Sequence, residues 1–215
     1  CLEVVREEAA FEVDAAKLAS AETKSVSELL LIAKDHIRAE RFSHAEAVLA
    51  AAQRVHGEAL ALRECREDVE RERLACQFHR LQSLEEAGNR LAALARRSLY
   101  QKLNRITLEH AGSRADRYPD DWDARLTLVE ELIRVGHYFE AIRRLQEPPS
   151  PPPGRHRAQA LRRLAESQQR LRRFDEALAA YRDLLQDADF QHLPHEDQLQ
   201  VKSQCDRLAA AMGQA

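Results

Sequence analysis

The chain has 215 residues, of which 44% are hydrophobic and 32% are charged, with only 6 glycines and 7 prolines. A β-sheet protein needs a turn about every 8–12 residues, and turns are built largely from Gly, Pro, Asn and Asp. The first proline is Pro119, so the preceding 118 residues lack this turn former altogether. The composition therefore excludes most β and α/β architectures and predicts an all-α chain with long helices.

The formal net charge of −3 argues against binding of nucleic acid or anionic membranes through overall charge. The four cysteines form no CxxC pair, which is typical of reduced thiols in a cytoplasmic protein. Cys65 and Cys76 lie about three helical turns apart, on one helix face. We interpret both as small apolar core residues.

No segment of the sequence resembles a membrane span or a signal peptide. The longest apolar run, residues 47–52, is far shorter than the roughly 20 residues that cross a bilayer. The chain begins with Cys1, which we interpret as a processed form or a fragment, with a lipid-anchored cysteine as the alternative. We expect a cytoplasmic protein without direct membrane insertion, and leave anchoring through flanking segments open.

The N-terminal part begins with an acidic, helix-prone segment, residues 2–24. Ser25 and Ser27 are candidate caps for the next helix, which we expect over residues 27–40. The following helix is expected to run from residue 43 to about residue 55.

A long segment without proline, residues 58–117, repeats its apolar residues at steps of three and four, the helical period. Gly88-Asn89 is its plausible break, because both residue types tolerate the left-handed conformation that closes a helix. We favour an antiparallel pair over residues 58–87 and 90–117. A single rod, roughly 90 Å long, is the alternative.

Proline divides the C-terminal half into helices and connections. Pro119 forces Tyr118 out of α geometry, and Asp120 or Asp121 caps the next helix. The proline-rich segment 148–154 is typical of a stiff bridge. Helices are expected on both sides of this bridge, over residues 121–135, 138–147, 155–171, 174–187 and 195–211.

Three segments share one internal pattern, residues 25–52, 121–146 and 156–185. In each, a helix of about fourteen residues and a short turn lead to an aromatic residue, and an alanine follows three residues later. Alanines that face each other let two antiparallel helices approach closely, so each segment predicts a helical hairpin. The aromatic residues are Phe42, Tyr138 and Phe174, and the alanines are Ala45, Ala141 and Ala177.

This spacing resembles the tetratricopeptide repeat family, whose unit is a helix–turn–helix of about 34 residues. Pro119 stands where the family has its terminal proline, and Gly136 stands at its turn glycine. The resemblance covers about 85 residues. Trp122, Arg125 and Val129 depart from the family pattern, and residues 57–118 carry no repeat. It implies stacked antiparallel hairpins, an α-solenoid, with a long helical pair in the middle.

We divide the chain into three predicted regions on this basis. Residues 1–56 form an N-terminal helix and a hairpin, and residues 57–118 form a long helical hairpin or coiled coil. Residues 119–215 form the C-terminal hairpins and a capping helix.

The sequence contains no motif typical of an enzyme: it has no Gly-rich phosphate loop, GxSxG, HExxH or paired Cys/His signature. The segment from His192 to Asp197 combines histidines and carboxylates, but Pro194 interrupts it, and we interpret it as a loop and a helix start. His36 takes a core position of the first hairpin. We therefore expect a non-enzymatic protein without catalytic residues, metal or cofactor.

The region between Ala141 and Arg173 contains nine arginines against two glutamates, a local net charge of +7. In tetratricopeptide proteins the first helix of each hairpin lines a groove that holds an extended peptide or a partner helix. Guanidinium groups bind carboxylates in a bidentate manner, so we expect an acidic peptide or partner segment, with plain surface charge as the alternative. The asparagines of the family's dicarboxylate clamp are absent, which argues against a chaperone-tail receptor. The resemblance places these residues in the groove: Arg134, Gln159, Arg162, Arg163, Glu166, Gln169 and Arg170.

Three functions follow as hypotheses. The first is a scaffold that binds a partner peptide or helix on its helical-repeat surface. The alternative is a structural protein that self-associates through a coiled coil in residues 58–117, so an oligomer is possible. Nucleic-acid binding through the arginines is opposed by the sparse aromatic residues and the acidic balance. The coiled coil would use Leu74, Phe78, Leu81, Leu84 and Leu91.

Overall fold

The computed structural model describes residues 24–213, and every regular element in this range is helical. The all-α prediction is thereby confirmed, and each described helix begins and ends within two residues of its predicted bounds. The helix expected over residues 2–24 lies outside the described residues, apart from Lys24. The helices are α1 (Val26–Arg38), α2 (Phe42–His56), α3 (Leu60–Glu86), α4 (Arg90–Arg117), α5 (Trp122–Val135), α6 (Tyr138–Gln146), α7 (Arg155–Arg170), α8 (Phe174–Gln186) and α9 (His195–Ala211), with a 3₁₀ turn (Ala188–His192) before α9.

The chain divides into two compact units, of which the first ends at Leu103 and the second begins at Asn104. This division falls inside α4, so the region predicted as residues 57–118 is shared between the two units. In the first unit, α3 packs on α1 and α2. In the second, Ala111 and Ala115 of α4 belong to the apolar core around α5.

The first unit begins with a capping box at Ser25. The Ser25 hydroxyl accepts a hydrogen bond from the backbone N–H of Glu28, whose carboxylate accepts from the Ser25 N–H at 2.7 Å. These bonds lower the pKa of Glu28. Of the two predicted caps, Ser25 is the observed one. The core of this unit contains Leu29, Ala33, Ala45, Val48, Leu49, Ala52, Leu62, Cys65 and Val69.

The chain reverses direction between α3 and α4. In a continuous helix, Phe78 and Tyr100 would lie roughly 33 Å apart, yet their ring centroids are 5.7 Å apart. The turn contains Gly88, with φ of 89°, and the Asn89 side chain accepts from the first N–H groups of α4. The two helices therefore meet near the turn at Phe78 and Tyr100, and the single rod is excluded.

In the second unit, α5 packs on α6, α6 on α7, α7 on α8 and α8 on α9. Asp121 caps α5, because its carboxylate accepts from the backbone N–H groups of Asp123 and Ala124. Ala141 and Ala177, the alanines of the predicted repeat, have no exposed surface. One core surrounds α5 and the other lies between α7, α8 and α9.

The three predicted hairpins share one turn geometry. The residue two positions before each aromatic has a left-handed backbone: Glu40 (φ 56°), Gly136 (φ 87°) and Arg172 (φ 60°). The N–H of the next residue then donates to the carbonyl five residues back in all three turns. The sequence indicated only the glycine, because the other two hairpins place ordinary residues in a conformation that favours glycine.

We expect Gly136→Ala to destabilise the second unit by about 1–2 kcal/mol, because an L-residue pays this much for a left-handed backbone. The new Cβ itself meets nothing within 4 Å. Gly112→Ala is the matched control: it lies within α4, its Cβ would contact Leu128 at 3.9 Å, and we expect a gain of about 0.5–1 kcal/mol. Urea unfolding followed by the fluorescence of Trp122, the single tryptophan, measures both. A loss of stability in both variants contradicts the interpretation.

The proline-rich bridge is held to α5 by a buried guanidinium. Arg125 is only 7% exposed, and it donates to the carbonyls of Arg144 at 2.8 Å, Glu147 at 2.6 Å and Pro149 at 3.0 Å. Its guanidinium also lies over the Trp122 ring, 4.2 Å from the centroid. Arg125 and Trp122, two of the three residues that depart from the family pattern, therefore have a structural role, which is to anchor the bridge.

Candidate functional site

The structure brings only some of the predicted site residues together. Arg162, Glu166, Gln169 and Arg170 line one groove in the second unit, between α7 and α9. Arg134, Gln159 and Arg163 do not line it.

Arg134 and Arg163 are instead engaged in contacts between helices. Arg134 at the end of α5 bonds to the carboxylate of Glu131 and to Asn104 Oδ1. Arg163 bonds to Glu130 Oε1 at 2.6 Å and to Glu166 Oε2 at 3.0 Å. Desolvation disfavours the charged form of Arg163, but these carboxylates outweigh it and raise its pKa. Both arginines are thus held by carboxylates of the same unit.

The groove has a volume of about 460 Å³, within the usual range for sites that hold small ligands or a few side chains. Its walls are α7 and α9, and side chains of α8 and of the preceding turn complete it. The lining residues are Arg162, Glu166, Gln169, Arg170, Arg172, Phe174, Tyr181, Gln200, Val201 and Gln204.

Polar contacts connect the two walls. Arg162 pairs with Asp197 at 2.7 Å and donates to Gln200 Oε1 at 3.0 Å. Gln169 donates to Gln204 Oε1 at 3.0 Å. Because these bonds join side chains 35 or more positions apart, they keep the wall residues in a defined arrangement before any ligand arrives.

Tyr181 is buried below these contacts. Its hydroxyl donates to Gln169 Oε1 at 3.2 Å. Burial raises the pKa of Tyr181 to about 12, so the phenol stays protonated at physiological pH and acts as a donor. It therefore orients the Gln169 amide and carries no charge.

Two arginines at one end of the groove have no carboxylate partner among the described residues. Arg170 ends α7 and Arg172 lies in the following turn, and both side chains are exposed. Next to them, Phe174 lines the groove with part of its ring in solvent. The groove therefore combines a positively charged end with an exposed aromatic surface.

Sequence reasoning missed the residues outside α7. The family register assigned groove positions only to the first helix of each hairpin, so neither α9 nor the turn before α8 was considered. One signal was present: Gln200 and Gln204 are four positions apart and share a face of the predicted last helix. Phe174 is the aromatic of the third predicted hairpin and Arg172 is one of the nine arginines, but neither pattern indicates a groove position.

Other chemistry is sparse in the described part of the chain. Residues 24–213 hold no group of three or more His, Cys, Asp or Glu side chains placed to bind a metal. Pro194 separates the 3₁₀ turn from α9, so the segment from His192 is the predicted loop and helix start.

Cys65 is buried and Cys76 is partly buried, and burial raises the pKa of both thiols. Within the same residues, no helix has the length and apolarity that crossing a bilayer requires.

Comparisons with known proteins found no counterpart: no protein-family model, no curated protein and no solved structure matches the chain. The resemblance to the tetratricopeptide family therefore stays a prediction from the residues.

Proposed function

We propose that the protein is a non-enzymatic interaction scaffold, whose groove between α7 and α9 binds a peptide or helical segment of a partner protein. The groove itself supports this proposal: its walls are bonded to each other, it has an exposed ring, and two of its arginines have no carboxylate partner within residues 24–213. A segment of extended peptide can place a few side chains in a volume of this size.

The packing of the second unit supports this proposal. A helical hairpin cannot bury its apolar face alone, so stacking hairpins produces both a continuous core and an exposed surface for ligands. Here α5 contacts α7 as well as α6, as in a short α-solenoid. As part of this proposal, we interpret the second unit as a short α-solenoid that resembles the tetratricopeptide repeat family.

The lining of the groove favours binding over catalysis. The lining residues include no serine, cysteine or histidine, so they offer no nucleophile with an adjacent base. Their one carboxylate, Glu166, is bonded to Arg163. Binding without chemistry is the function that these groups support.

Self-association through residues 58–117 has less support. Leu74 is buried and Phe78 contacts Tyr100, so part of the proposed coiled-coil seam is used within the first unit. Three large apolar side chains near the turn remain in solvent: Leu84, Leu91 and Leu94, at 48%, 77% and 67% exposure.

A random peptide library displayed on phage tests the groove. We expect the immobilised protein to enrich peptides that bind at least tenfold more weakly to Gln200→Trp, because the indole would fill the space beside this exposed wall residue. Ser203→Trp is the matched control, since Ser203 is exposed on α9 and does not line the groove. Enrichment of no peptide, or equal binding by both variants, would contradict the proposed function.

A further inference from the structure

The arginines of the groove differ in whether a carboxylate of the protein already neutralises them. Asp197 neutralises Arg162 at 2.7 Å, and Arg163 neutralises Glu166 at 3.0 Å. Among the described residues, Arg170 and Arg172 have no such pair. The uncompensated positive charge of the groove is therefore at its Arg170–Arg172 end.

The backbone at Arg172 is unfavourable for this residue type. With φ of 60° it occupies the left-handed region, where the preceding hairpin has Gly136 at the equivalent turn position. A glycine adopts this conformation without the steric cost that an L-residue meets. Glu40 has the same backbone at the equivalent position of the first hairpin, so this conformation is the turn geometry, and at Arg172 it places a guanidinium at the groove.

The wall opposite Arg170 supplies hydrogen-bond donors. Gln200 and Gln204 use their Oε1 atoms to accept from Arg162 and Gln169. Their Nε2 groups have no hydrogen bond to any described residue, so they remain available to carbonyl acceptors. Phe174 and the side chain of Val201 add apolar surface beside them.

We propose that the partner segment is an acidic peptide that carries an apolar side chain. Its carboxylates bind Arg170 and Arg172, its apolar side chain packs on Phe174, and its backbone carbonyls accept from Gln200 and Gln204. This inference rests on the proposed function and specifies the ligand of the same groove.

A peptide fits these groups better than a nucleic acid. Among the lining residues, Phe174 is the one aromatic with an exposed ring, since Tyr181 is buried, whereas single-stranded nucleic acids are held by successive stacking platforms. Two guanidinium groups that no described carboxylate neutralises match two carboxylates of a peptide, with the bidentate geometry that makes such bonds strong.

The test uses three short fluorescein-labelled peptides and fluorescence anisotropy at physiological ionic strength. The first has glutamates around one phenylalanine, the second has glutamines in place of the glutamates, and the third has serine in place of the phenylalanine. We expect the first to bind the unmodified protein at least tenfold more tightly than either of the others. A labelled oligo-uridylate of equal charge is expected to bind at least tenfold more weakly than the first peptide.

Two double variants of equal charge locate the site. We expect Arg170→Gln with Arg172→Gln to weaken binding of the first peptide at least tenfold. Arg182→Gln with Arg207→Gln, which changes exposed residues that do not line the groove, is expected to stay within twofold of the unmodified protein. Equal losses in both double variants would show unspecific attraction and overturn the proposal, as would tighter binding of the glutamine peptide or of the oligo-uridylate.

The peptide library separates this proposal from the proposed function. If the library yields groove-binding peptides that are neutral or basic, the acidic ligand is wrong and the interaction scaffold stands. If no peptide depends on the groove, both are wrong.

Discussion

Arg125→Ala is expected to lower the free energy of unfolding of the second unit by about 3 kcal/mol. The substitution leaves the carbonyls of Arg144, Glu147 and Pro149 without their donor, and a buried polar group without a partner costs about 1–3 kcal/mol. It also removes the guanidinium from the face of Trp122, a contact that adds about 1 kcal/mol. Partial entry of water offsets some of these losses.

Arg125→Lys and Arg182→Ala are the control variants for this prediction. Lysine keeps the charge but cannot reach several carbonyls with one planar group, so we expect a loss of about 2 kcal/mol. Arg182 is exposed, and its replacement should change stability by less than about 0.5 kcal/mol. Urea unfolding is followed by circular dichroism as well as fluorescence, because Arg125 contacts the fluorophore. An Arg125→Ala variant as stable as Arg182→Ala contradicts the anchoring role.

Ala177→Leu is expected to destabilise the second unit by about 3 kcal/mol. Ala177 has 0% exposure and belongs to the core that contains Ala158 and Ala165. A larger side chain has to push α7 and α8 apart, and overpacking of this kind costs about 1–3 kcal/mol.

Ala179→Leu, on the same helix, is the control for helix propensity and added hydrophobicity. Ala179 is exposed, so the additional methyl groups meet solvent and stability should change by less than about 0.5 kcal/mol. The same urea titration measures both variants. Equal effects at the two positions would mean that the alanine of the repeat is not a close-packing position.

The helices could be predicted because their ends depend on local chemistry. Ser25 and Asp121 cap the helices that follow them, and Gly88 adopts the left-handed turn after α3. Each of these interactions involves neighbours within about four residues, which a sequence displays directly. The left-handed turn at Arg172 was not predictable, since no residue type there indicates it.

The candidate site could be predicted only in part. The sequence located the positive charge on and around α7, and four of the seven expected residues line the groove. Which arginines remain available depends on partners such as Asp197 for Arg162 and Glu130 for Arg163, which are 33 or more positions away. Ion pairs at such separations exist only after the helices pack.

Composition, periodicity and capping residues by themselves determined the helical class and the helix bounds of the described residues, because both depend on residues within about four positions of each other. The tertiary structure alone decided that Arg125 anchors the bridge, and that Arg170 and Arg172 have no carboxylate partner in the part of the chain that the structure describes. The reason is physical: burial and pairing of a charge depend on groups brought together from distant parts of the chain, and a local charge of +7 does not show which of its members are already neutralised.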